Sequence, residues 1–164
     1  MRSRSHERKG HAPKRDQIRL FDFQILVQIN KEVVSLTGDI HEYTSEDERK
    51  LRQLLSEVQE TANTEERNES IIQKVSLLIF GLVSGQHFHE GNKRTALTAG
   101  ESFLRANGYS IDISSKELVQ VVDKASIGQA GLSEVIGIIR RLIRNVRGRT
   151  QVLGGYSTRD CRFQ

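Results

Sequence analysis

Between Val75 and Val83 the chain reads Val-Ser-Leu-Leu-Ile-Phe-Gly-Leu-Val, apolar on nearly every side of a helix. Only a helix enclosed by others can hide such a surface, so this segment predicts a central helix with the rest of the chain packed round it. The character then changes abruptly: Gln86-His87-Phe88-His89-Glu90-Gly91-Asn92-Lys93-Arg94-Thr95-Ala96 is polar and charged, and it leaves from the end of the most apolar element.

The remaining sequence supplies the surrounding helices. Ile18, Phe21, Ile25, Leu26, Ile29, Val33 and Val34 recur at three-four spacing, which predicts a helix of about 20 residues from Asp16, stopped by Gly38. Residues 38–44 carry no helical face and read as a loop or a short hairpin. Ser45 with Glu48 forms a capping-box signature before Leu51, Leu54, Leu55 and Val58. The central helix runs from about Glu65 to Ser84, and Ala96 to Leu104 form a fourth helix that Asn107-Gly108 ends. Tyr109 to Ile113 reads as an extended connector. Ser114 with Glu117 opens another capped helix, and the last runs from Ser133 to about Val146. The predicted fold is all-α, a helical bundle with one candidate β-hairpin near residues 38–44.

Length and charge bound the organisation. A chain of 164 residues supports one sizeable core. Its net charge of +4 is split: residues 1–19 carry seven basic side chains against two acids, residues 140–164 carry seven against one, and between them eleven face eighteen. The division expected is a basic arm over 1–15, a helical domain over 16–146 and a basic tail over 147–164. Concentrated in the two ends, the positive charge reads first as solvated tails, with nucleic-acid binding the less favoured alternative. The single Cys161 cannot form an internal disulfide, and neither a membrane-spanning run nor a signal-peptide core is present, so a cytoplasmic protein fits best.

Chemistry concentrates in the central loop. Gly91-Asn92 stands just before a helix, whose first N–H groups have no intrahelical partner and attract anions. Lys93 adds a point charge and Arg94 a planar fork suited to two phosphate oxygens. Glu90 is a hard oxygen ligand of the kind magnesium takes once or twice, completing its shell with phosphate and water. Singly, each of these residues is ordinary: a turn, an exposed charge, a core Phe88. As an ordered set between two buried helices they describe a magnesium-nucleotide site.

The stretch Phe88-x-Glu90-Gly91-Asn92-Lys93-Arg94-Thr95-Ala96-Leu97 resembles the active-site motif of the Fic/Doc family, H-x-F-x-[D/E]-[G/A]-N-x-R, and its Asn-Lys-Arg-Thr-Ala-Leu ending is similar to the Doc branch. Phe103 to Tyr109 resembles the family's usual continuation, so the likeness covers about residues 17–146. The resemblance implies a Fic/Doc-like helical bundle that binds ATP or another nucleoside triphosphate with Mg2+. It implies transfer of AMP or a phosphoryl group to a hydroxyl of a target protein, with an antitoxin-like inhibitor as a further partner. Glu90 would match the metal-binding acid, Gly91, Asn92, Lys93 and Arg94 the nucleotide-holding residues, and Phe88 the loop anchor. The chain departs from the motif at Gln86, where the family places its general-base histidine; glutamine hydrogen-bonds but accepts no proton. His87, or His89 beside it, is the candidate substitute base, and an impaired transferase or a non-enzymatic binding module of the same fold are the two readings.

Overall fold

A computed structural model describes residues 17–61 and 64–146 of the chain. The arm expected over 1–15, the tail over 147–164 and Cys161 lie outside the described residues. Six helices follow in order: α1 (Phe23–Ser35), α2 (Ser45–Glu60), α3 (Arg67–Gly85), α4 (Asn92–Ala106), α5 (Lys116–Ser126) and α6 (Leu132–Leu142). Two short strands, β1 (Tyr109–Ser110) and β2 (Arg144–Asn145), pair antiparallel with Tyr109 opposite Asn145.

Helix α3 is the hub, packing against α2, α4, α5 and α6. It buries Ile71, Ile72, Val75, Leu78, Ile79, Leu82 and Val83, each contributing about 1.5–3 kcal/mol relative to exposure. The one charged side chain sunk in it is Lys74, 2% exposed. Its Nζ donates to the carbonyls of Val58 (2.9 Å), Gln59 (2.8 Å) and Thr61 (2.6 Å). These belong to the C-terminal end of α2, whose carbonyls lack intrahelical partners, so the ammonium serves as a cap.

Several boundaries differ from those the sequence suggests. Helix α1 begins at Phe23, seven residues after the start expected at Asp16, because Asp22 caps it by accepting from the Ile25 N–H at 3.0 Å. Before it the chain runs non-helical and is held by the buried Asn107, which accepts from Arg19 N (2.8 Å) and donates to Arg19 O (2.9 Å). Ile18 and Phe21 still reach the core from there. The α2 box is built by Thr44 and Asp47, one residue earlier than Ser45 and Glu48. Ser114 bonds back to Asp112, leaving Ser115 at the start of α5. Residues 38–44, the candidate hairpin, form no strand; the paired strands are β1 and β2, and α6 stops at Leu142 so that β2 can reach β1.

Candidate active site

The loop between α3 and α4 is shaped at both ends by left-handed backbone. Gln86 closes α3 at φ 46°, ψ 54°, and Gly91 opens α4 at φ 77°. A Cβ at Gly91 would also stand 2.7 Å from Val34 Cγ1, so glycine lets the loop press against α1. Between them Phe88 is buried, its ring edge-on to Tyr43 at 6.1 Å and tilted against His41 at 6.2 Å.

Asn92 staples the loop. Its Oδ1 accepts from Phe88 N at 3.0 Å and its Nδ2 donates to Phe88 O at 2.7 Å. The side-chain amide is therefore engaged internally, and what Asn92 presents outward is the start of α4. Among the described residues no side chain caps that start, so the first N–H groups of the helix are open to an anion.

The remaining charged residues sit on this frame. Arg94, part-buried, donates from Nη1 to Val33 O (2.9 Å) and Thr37 Oγ1 (2.6 Å) and from Nη2 to Asp39 (2.5 Å). Hydrogen bonds donated to Asp39 by the Thr37 hydroxyl first, and then by Arg94, hold its carboxyl below the ordinary value. Glu90 Oε2 accepts from Ile40 N at 3.0 Å, while Lys93 pairs with Asp123 of α5 at 2.8 Å. The Glu90 carbonyl accepts from Asn30 of α1, which also reaches Thr95 and His41.

Two cavities meet at the loop. One of about 590 Å³ is lined by residues 41–44, Asp47, Gln86, Phe88 and His89. The other, of about 360 Å³, is lined by residues 89–94 with Val83, Gln86, Ser126 and Ile127. Gln86 and His89 border both, so Gln86 lies at their junction. The structure thus brings Gln86, Glu90, Gly91, Asn92, Lys93 and Arg94 together around one opening. His87 is placed elsewhere: its ring is buried, Nε2 faces Gly81 O at 3.1 Å, and it lines neither cavity. Burial holds His87 below the ordinary histidine value.

A sequence model described as the Fic/DOC family matches residues 20–104, more than half of the chain. The chain belongs to the Fic/DOC family. The matched span takes in α1, α2, α3, the loop and most of α4, which are the elements that build the opening. Among curated proteins, the chain is similar to the protein kinase Doc of Escherichia phage P1, 40% identical over 58 residues. That stretch is 35% of this chain and 45% of the phage protein, so the likeness spans less than half of that relative.

The sequence did not point to the residues that hold the Fic/DOC loop from outside: Asn30, Thr37, Asp39 and His41. Only Asn30 left a signal, as a polar residue on the buried face otherwise made by Leu26, Ile29, Val33 and Val34. Among the described residues, no group of three or more His, Cys, Asp or Glu side chains is placed to hold a metal ion. No described helix is long and apolar enough to cross a membrane.

Proposed function

We propose that this Fic/DOC chain binds a nucleoside triphosphate with Mg2+ at the start of α4 and transfers AMP or a phosphoryl group to a hydroxyl of a target protein. The observation that carries the reading is the uncapped helix start at Gly91-Asn92 with Arg94 beside it, opening into the 360 Å³ cavity. Backbone N–H groups and a guanidinium at one opening suit a phosphate chain. Glu90 is the carboxylate for the metal, and one carboxylate fits an ion that draws its other ligands from phosphates and water. Magnesium there supplies charge neutralisation on the phosphate oxygens. The likeness to the phage kinase favours phosphoryl transfer of the two. An antitoxin-like inhibitor and a cytoplasmic setting belong to the same proposal.

Gln86 favours a second reading, a binding module without transfer, because an amide at that position accepts no proton. Transfer that relied on position 86 alone is slower by about 10²–10⁴ than transfer with a positioned base.

Calorimetric titration of Mg-ATP and Mg-GTP into the chain and into Arg94→Ala is the test. Saturable binding that weakens at least tenfold in the variant is expected, about 1.4 kcal/mol. No binding to the parent chain would overturn the nucleotide reading.

A further inference from the structure

A buried amide in α1 fixes the state of a histidine that lines the 590 Å³ cavity. Asn30 is fully buried, and one end of its amide lies 2.9 Å from the Glu90 carbonyl. A carbonyl only accepts, so that end is Nδ2. The other end is the oxygen, and it stands 2.6 Å from His41 Nδ1. Nδ1 therefore carries the proton, and in neutral His41 the lone pair is on Nε2.

Among the described residues Nε2 has no hydrogen-bond partner, and His41 lines the same cavity as Gln86, Phe88 and His89. The ring is clamped by Tyr43 at 5.6 Å and Phe88 at 6.2 Å. Burial first, and then the charge of Lys31 on α1, hold His41 below the ordinary histidine value, which keeps it unprotonated at neutral pH. The other titratable groups lining the cavity are Glu42, the Tyr43 phenol, Asp47 of α2, whose carboxylate is bound by Thr44, and His89 of the loop. The nearby alternatives lack this arrangement. His87 has Nε2 committed to Gly81 O, and among the described residues no side chain orients the exposed His89 ring.

We infer that His41 is the general base of the transfer, in place of Gln86, and that Asn30 is the positioning residue that fixes its tautomer; the inference rests on the nucleotide-transfer reading. The target hydroxyl gives its proton to His41 Nε2 as its oxygen bonds to phosphorus. The bond from phosphorus to the bridging oxygen breaks, and its electron pair leaves with ADP in phosphoryl transfer or with pyrophosphate in AMP transfer. The proton then passes from Nε2 to solvent.

The test uses the full chain. Mg-ATP binding is measured by calorimetry, and turnover of α- and γ-labelled ATP is followed with both water and the chain's own hydroxyls counted as acceptors. His41→Asn keeps an amide N–H that can donate to Asn30 but removes the basic nitrogen, since an amide accepts no proton. It is expected to bind ATP and to melt as the wild type does, and to lose about 10²–10⁴ of the rate. Adding Gln86→His to that variant is expected to return the lost activity. Nitrogen-15 spectra of the imidazole are expected to show the Nδ1–H tautomer at pH 7.5. Wild-type turnover in His41→Asn, the opposite tautomer, or a wild type that binds ATP and transfers nothing would each overturn the His41 inference alone. Absence of ATP binding would overturn the nucleotide reading and this inference with it.

Discussion

Replacing Lys74 by methionine tests whether a buried ammonium can act as a helix cap. The side chain is 2% exposed and donates to three carbonyls at 2.6–2.9 Å. Hydrogen bonds from a charged donor are worth about 1.5–3 kcal/mol each, so the three amount to about 5–9 kcal/mol before costs. Taking an ammonium out of water costs several kcal/mol, and methionine of similar length removes that cost while leaving three acceptors unpaired. A cavity lined by Gln59, Thr64 and Lys74 lets water reach part of this end of α2 and recover some of the loss. The net expectation is a destabilisation of about 2–4 kcal/mol, or a fall in Tm of about 5–15 °C for a chain of this size. Thermal unfolding followed by far-UV circular dichroism reads it. The control is Lys93→Met, the same change at an exposed lysine paired only with Asp123, for which about 0–1 kcal/mol is expected. If Lys74→Met melted at or above the wild type while the control behaved as stated, the ammonium would be no net cap and the reasoning would fail.

Gly91→Ala is expected to cost about 1–3 kcal/mol in urea unfolding, since alanine must hold φ 77° and bring Cβ to 2.7 Å from Val34 Cγ1; an unchanged midpoint would remove the close approach from the account. Burial lowers the His87 pKa below its unfolded value, so the native state binds fewer protons. The stability this contributes is present above about pH 6.5 and is lost as pH falls through the folded pKa. Between pH 7.5 and 5 the wild type should therefore lose more stability than His87→Gln, which keeps a donor for Gly81 O. His41 titrates in the same window in both proteins and cancels; equal slopes would count against the buried His87.

Helices were legible wherever one apolar stripe matched one face, as in α2 and α4. The stripe misled at the start of α1, because Ile18 and Phe21 reach the core from non-helical chain pinned by Asn107 across 88 residues. Spacing alone cannot tell a helical approach from that one. Capping pairs were read a residue late at Thr44 because Ser45 and Glu48 offer the same chemistry one step along. The motif loop was legible because its residues are contiguous. Its supports were not: Asn30 bonds across 11, 60 and 65 residues, and which polar atoms meet at such distances is set by packing.

The Asn92 staple has a consequence for the energetics of ligand capture. Fixing one residue's backbone costs about 1–2 kcal/mol in conformational entropy, and a floppy six-residue loop would levy that charge whenever an anion bound. Here residues 86–91 are held by the two hydrogen bonds of one amide, by the Phe88 ring and by Asn30, so folding has already met the cost. Under the proposed function, a phosphate chain would find its N–H donors already aimed, and the free energy of that encounter would go into affinity instead of into ordering the loop.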